Sequence, residues 1–252
     1  MGAAWNRRRR RFLRWCLPWL VACVPAHAYR PFDGTDAAVV DEHEFELELG
    51  PVQYAREGSA KSLVAPALVG NYGLAGDREV VLEGKVFWPI GGGEDNSQPS
   101  FADGALSFKQ LLRRGSLQDA SGVSVAIECG ILLPTIHAEP GAGASCALVA
   151  SHRWSAATAH LNGALSFDRD HHWNRFASLI VESPDAWLVR PVAEVTVDQE
   201  VNGPRTRSAL AGLIWRARET LSFDLGVRYG RSGDESIREI RAGLTWTVPP
   251  GN

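Results

Sequence analysis

Glu44-Phe45-Glu46-Leu47-Glu48-Leu49 alternates three glutamates strictly with three large apolar residues. A helix would scatter those glutamates around its surface. A strand points successive side chains to opposite faces, so it gathers the glutamates on one face and Phe45, Leu47 and Leu49 on the other. Such a strand belongs between water and an apolar medium.

The same period recurs along the chain. In 78–89, Val80, Leu82, Val86 and Trp88 oppose Glu83 and Lys85. In 122–133, Val123, Val125, Ile127 and Ile131 oppose Ser124, Glu128 and Gly130. In 157–168, Leu161, Leu165 and Phe167 oppose His160, Asn162, Ser166 and Asp168. In 220–231, Phe223, Leu225, Val227 and Tyr229 oppose Ser222, Asp224 and Arg228, and in 237–248 Ile240, Leu244 and Trp246 oppose Glu239, Arg241 and Thr245. Weaker segments lie near 62–73, 103–113, 143–155, 173–183, 187–200 and 206–217. The total is about twelve, an even number within the range of bacterial outer-membrane barrels. No stretch after residue 28 approaches the run of about 18 apolar residues that a membrane helix needs. An open sheet edge in hydrocarbon would leave backbone groups unpaired. The reading is therefore all-β: a transmembrane antiparallel up-and-down barrel.

Connection lengths and aromatic placement point the same way. Short connections (75–77, 155–156, 183–185, 216–220) take turns with longer ones (90–101, 134–143, 169–172, 202–205, 232–236). Barrels of this kind have tight periplasmic turns and longer outward loops. Trp88, Trp154, Trp173, Trp187, Trp215, Trp246 and Tyr229 fall near strand ends, where interfacial girdles sit. Three features resist. Pro66 and Pro191 fall inside strands, although proline cannot donate to a ladder. In segment 206–217 the run Ala209 to Trp215, following Ser208, is apolar on both faces. Pro249 to Asn252 form a short tail after the final strand, which assembly has to tolerate.

The chain starts MGAAWNRRRRRFLRWCLPWLVACVPAHAYR: a basic run at 7–11, a short apolar run, then Ala26-His27-Ala28. That order is a secretory signal peptide, giving residues 1–28 as leader and 29–252 as barrel. A lipoprotein-type cleavage at Leu20-Val21-Ala22-Cys23 ranks second. Without the leader, 20 basic residues face 29 acidic ones, a net charge of −9. Such a surface argues against nucleic acid as partner. Cys16 and Cys23 go with the leader. Cys129 and Cys146 are centred on the loop 134–143, so in a hairpin they would lie nearly opposite on one face, within disulfide reach.

Several pieces resemble a known family: RPFDGTDAAVVDEHEFELELGP (30–51), ALSFKQLLR (105–113), SVAIECGILLPT (124–135), GASCALVASHRW (143–154) and EIRAGLTWT (239–247). They resemble the outer-membrane transporter-like barrels associated with the MetA pathway of phenol degradation. The resemblance implies an outer-membrane barrel passing small, including aromatic, molecules, and it brings no catalytic residues.

Enzyme signatures are scarce. His152 and His160 lie on neighbouring strands with Ser151, Ser155 and Ser166 nearby, so a lipid hydrolase with Ser and His on the outer face is the less favoured rival; no G-x-S-x-G elbow occurs. Asp168-Arg169-Asp170-His171-His172 has poor ligand spacing and reads as a solvated loop. Gly91-Gly92-Gly93 lacks a phosphate-loop lysine and reads as an outer loop. No catalytic residue, metal or cofactor is expected. The candidate lumen residues are Glu83, Lys85, Lys109, Glu128, Glu194, Asp224, Arg228, Glu239 and Arg241, with Glu44, Glu46, Glu48 and Asp198 beside them. Mixed signs suit a narrow or filled interior better than a strongly charge-selective pore. The expected function is a monomeric channel or transporter for small molecules. The alternative is a structural or surface-interaction barrel with a filled lumen. Expected partners are outer-membrane lipid and lipopolysaccharide, periplasmic chaperones and the barrel-assembly machinery.

Overall fold

Period-two sequence becomes twelve antiparallel strands in the computed structural model, which describes residues 30–90, 98–137, 139–201 and 203–248. They are β1 (Phe45–Glu57), β2 (Ala60–Leu74), β3 (Arg78–Ile90), β4 (Ser100–Arg113), β5 (Ser124–Leu132), β6 (Gly143–Arg153), β7 (Thr158–Phe167), β8 (Trp173–Glu182), β9 (Val189–Glu200), β10 (Arg205–Arg218), β11 (Leu221–Ser232) and β12 (Glu235–Val248). Each pairs with its sequence neighbours. β1 also pairs with β12, from Phe45↔Val248 to Glu57↔Ile237, so the sheet closes on itself without an edge. The expected leader 1–28, Gly91 to Gly93 and the tail 249–252 lie outside the described residues.

The outward face is apolar. Leu82, Leu148, Leu161, Leu165, Val195 and Val227 are each more than half exposed. On a protein surrounded by water a band of this extent would be a large sticky patch; against hydrocarbon it is the favourable face. Exposed aromatics border it at both rims: Trp154, Trp187, Trp215 and Trp246 at the end with tight turns, Tyr54, Trp88, Trp173 and Tyr229 at the end with loops. The inward face carries the buried charges, among them Glu48, Glu79, Lys109, Glu128, Glu194 and Arg241.

Several connections depart from simple alternation of length: β11 and β12 meet at Gly233-Asp234 on the loop side, shorter than expected over 232–236, and β8 and β9 are joined on the turn side by the six residues 183–188, longer than expected over 183–185. β1 and β2 meet at Gly58-Ser59, a two-residue turn on the loop side, where Gly58 has φ +55°. β4 and β5 are joined on the turn side by ten residues holding the 3-10 helix Ser116–Gln118. The prolines sit where the ladder tolerates them. Pro66 lies in the register shift between Val64 and Ala67. Pro191 lies beyond the last β8–β9 rung, and its carbonyl accepts from Ser183 N–H as the turn begins.

Cys129 and Cys146 are directly opposite in the β5–β6 ladder, with Cα atoms 4.1 Å apart, and form a disulfide. Closing a loop of this length stabilises by about 3 kcal/mol in the chain-entropy view. Both cysteines share the outward face with Ile131 and Leu148. In a bilayer they face hydrocarbon, so a charged, water-soluble phosphine is expected to leave the bond intact in vesicles and to reduce it after unfolding. Maleimide gel shifts report the outcome, and rapid reduction of the folded protein would contradict this placement.

Candidate functional site

Ahead of the first strand, Arg30 to Asp41 runs inside the barrel instead of away from it. A chain segment buried this way must find partners for its backbone N–H groups, and the wall supplies them. Asp33 and Gly34 N–H donate to the two Glu194 oxygens, each at 2.8 Å. Thr35 N–H donates to Asn162 Oδ1 at 3.0 Å, and Asn162 Nδ2 returns a bond to Thr35 O at 2.9 Å. Ala37 N–H donates to Ser151 Oγ at 2.9 Å, and Val40 N–H to Glu79 Oε2 at 2.7 Å. Partners come in turn from β9, β7, β6 and β3, while Arg30 binds Asp224 on β11 and Ala242 O on β12. The segment thus follows the wall around the lumen, in the half nearer the tight turns.

Side chains fasten it further. Phe32 is buried among Ile180, Val192, Leu210 and Ile214. This accounts for the apolar inward face of β10. Ala37 packs on Ala126 and Val149, with Leu117 of the 3-10 helix against the cluster, and Gln118 Nε2 donates to Ala37 O at 3.2 Å. Wall glycines make room: a Cβ on Gly243 would fall 1.9 Å from Arg30 Nε, and one on Gly73 1.9 Å from Asp41 O.

The charges divide into two clusters. Asp33 sits between Arg228 and Arg241, pairing with Arg241 at 3.1 Å and in direct contact with Arg228. Arg241 also contacts Glu239. Burial alone would raise the Asp33 carboxyl; the charges and hydrogen bonds of the two guanidinium groups outweigh it and hold the carboxyl well below the usual carboxylate range. In the second cluster Lys109 lies 3.2 Å from Glu79, 3.7 Å from Asp36 and 3.4 Å from Thr35 Oγ1. It borders a cavity of about 170 Å³ between segment and wall, whose other charged lining residues are Asp36, Glu46, Glu48, Glu79 and Glu128. Towards the loops, Lys85 contacts Asp103. Arg169 folds in from the β7–β8 loop to Gly104 O at 2.8 Å and Leu133 O at 2.6 Å.

Of the candidate lumen residues, Asp224, Arg228, Glu194, Glu239 and Arg241 meet the internal segment or its partners, and Lys109 and Glu128 border the cavity. Glu83, buried, and Lys85 lie further along β3 towards the loops. Sequence reasoning missed Asp33, Asp36 and Glu182; it put Asn162 on the polar face without a partner and weighed Ser151 only beside the histidines of a lipid hydrolase. Arg30 to Asp41 has no periodicity to betray it, though the apolar inner face of 206–217 signalled something apolar inside.

Among the described residues, neither His152 nor His160 forms a lipid-facing pair with Ser151, Ser155 or Ser166. His160 and Ser151 point inward and are fully buried. His160 Nδ1 lies 2.8 Å from Ser151 Oγ and Nε2 3.0 Å from Glu182 Oε1, and Arg190 pairs with Glu182 at 3.0 Å. These are the distances of a nucleophile, base and orienter. Ser151 is nonetheless sealed under Ala37, whose N–H occupies its oxygen. The chain of bonds ties the internal segment to the β8–β9 turn. His152 is half-buried and lies 3.2 Å from Ser116 Oγ and 3.1 Å from Gly122 O, holding the β4–β5 connection; Ser155 is in a turn, and Ser166 is buried facing inward.

No family model matches the chain, and no curated protein does. Solved structures do. The COG4313 outer membrane channel from Pseudomonas putida F1 superposes with a TM-score of 0.64 at 10% identity, covering 86% of this chain and 98% of that one. The KdgM porin gives a TM-score of 0.51 at 8% identity, covering 81% and 99%. At such identities the likeness establishes the class of fold: a twelve-stranded closed antiparallel barrel of the kind found in outer-membrane channels.

Proposed function

We propose that the chain is an outer-membrane channel or transporter for small molecules whose lumen is held closed by its own N-terminal segment. The observation that carries this reading is the path of Arg30 to Asp41 around the lumen, beside a remaining cavity. A barrel needed only as a scaffold could fill its interior with side chains from the wall; here a separate segment, joined at one end, fills it. The leader 1–28 supports export, the apolar band supports membrane insertion, and the fold likeness to channels supports passage. The family resemblance suggests a small aromatic cargo. A carboxylate-rich cavity suits neutral or cationic solutes better than anions.

The second reading is a non-transporting barrel, favoured by the number of bonds that hold the segment. Steady current in planar bilayers after the segment is removed separates the two. Membrane insertion itself is tested by fractionation: the mature chain is expected with outer membranes, with heat-modifiable gel mobility. Recovery as a soluble periplasmic protein would sink both readings.

A further inference from the structure

Beyond the apolar band, the outward face at the loop end carries Lys61 on β2, Arg56 on β1, Arg238 on β12, Arg231 on β11, Arg207 on β10 and Arg175 on β8, all exposed. They are contiguous. Arg56 is directly opposite both Arg238 and Lys61, and Arg207 is opposite Arg231. β9 adds Gln199, opposite Arg175. Like charges directly across a ladder are destabilising, yet three such pairs stand within this arc. No ion pair joins any of the six to a carboxylate among the described residues; Arg56 and Arg231 donate only to the backbone carbonyls of Gly58 and Asp234. The opposite rim is mixed: Arg114 and Arg153 sit beside Asp77 and Asp119, whereas Arg78 donates to Gln110 Oε1. A chain with a net charge of −9 after loss of its leader has no compositional reason to gather uncompensated cations here.

We propose that this arc binds the phosphates of a lipopolysaccharide molecule in the surrounding outer leaflet, with its acyl chains against the apolar band. Guanidinium groups grip phosphate bidentately and are more weakly hydrated than ammonium, which suits a lipid headgroup boundary. The Arg56–Arg238 and Arg207–Arg231 pairs are centred two strands apart, about 10 Å at the usual strand spacing. That is the scale of a disaccharide phosphorylated at both ends. Tyr54, Tyr229 and Ile240 lie next along the same strands and would meet its acyl chains. The inference rests on the outer-membrane reading with the loop end outward, and is independent of whether the lumen conducts.

The test uses the purified mature chain in neutral detergent, with bis-phosphorylated lipid A, its dephosphorylated form and phosphatidylglycerol as probes, and native mass spectrometry as readout. Lipid A is expected to be retained and the dephosphorylated form released. The variant Arg56→Gln/Arg207→Gln/Arg231→Gln/Arg238→Gln is expected to bind lipid A at least about tenfold more weakly, the scale of one lost charge-assisted hydrogen bond. Equal retention by the variant overturns the site. Retention of phosphatidylglycerol as strong as that of lipid A overturns the assignment to lipopolysaccharide. Heat-modifiable mobility checks that the variant is folded, and Arg207→Gln/Arg231→Gln alone repeats the test if it is not. Loss of lipid A binding alongside the expected channel currents removes only the arc; absent currents with lipid A bound remove only the channel.

Discussion

Asp33→Asn is expected to loosen the internal segment by about two powers of ten. Asp33 bridges Arg228 and Arg241 in a buried cluster that also holds Glu194 and Glu239, and its own N–H donates to Glu194. Removing one partner of a buried ion pair typically costs about 3–5 kcal/mol; Glu239 and Glu194 stay beside the two guanidinium groups here, so the lower end applies, and each 1.4 kcal/mol, roughly, is a factor of ten. Asparagine keeps the shape, so the effect is electrostatic. Ala37, fully buried beneath the segment's contacts with β5 and β6, is the reporter. An Ala37→Cys protein is expected to react slowly with a water-soluble maleimide, and the Asp33→Asn background to react about a hundred times faster or more, relative to unfolded controls. Equal rates would show that the cluster does not hold the segment. The pH dependence has a definite sign. The docked Asp33 carboxyl titrates below its free value, so its contribution is fully present above about pH 4 and is lost as pH falls through the depressed value. Acid release through this residue is therefore expected only below about pH 4, and Asp33→Asn removes that step.

Lys109→Met is expected to destabilise the barrel by about 3–5 kcal/mol. Lys109 is buried and, among the described residues, is the one cation lining a cavity that also takes Asp36, Glu46, Glu48, Glu79 and Glu128. It bridges Asp36 on the segment to Glu79 on the wall. Methionine preserves much of the stem and removes the charge, leaving carboxylates that repel one another in a site shielded from water. The temperature at which gel mobility converts from folded to unfolded should fall clearly, while Lys109→Arg should stay near the parent. An unchanged conversion temperature would mean that the cavity is wet enough to screen these charges.

The barrel wall is legible in the sequence because one physical demand, apolar outside and polar inside, acts on every second residue. Segment 78–89 becomes β3 (Arg78–Ile90), and 220–231 becomes β11 (Leu221–Ser232), within a residue or so at each end. β1 was legible only to Leu49. A register shift between Leu49 and Val52 breaks the period at Gly50-Pro51, although the strand continues to Glu57. The candidate site was half legible. Charged wall residues such as Glu194, Arg228 and Arg241 follow from alternation, whereas what they bind does not. The segment Arg30 to Asp41 uses backbone N–H groups and small residues, so no periodic demand marks it. Its imprint lies in the wall instead, in the apolar inward residues Leu210 and Ile214 and in Gly243, which keeps space for Arg30.

Single-channel current in planar bilayers, recorded for the mature chain and for the same chain lacking residues 30–41, tests the central claim most directly. The intact chain is predicted to give no steady open current. The shortened chain, folded by its gel mobility, is predicted to give a steady current that favours cations, as expected where Glu46, Glu48, Glu79 and Glu128 outnumber Lys109 among the charged wall residues of the turn-side cavity. The same current from both chains, or none from a folded shortened chain, would contradict a lumen closed by its own N-terminal segment.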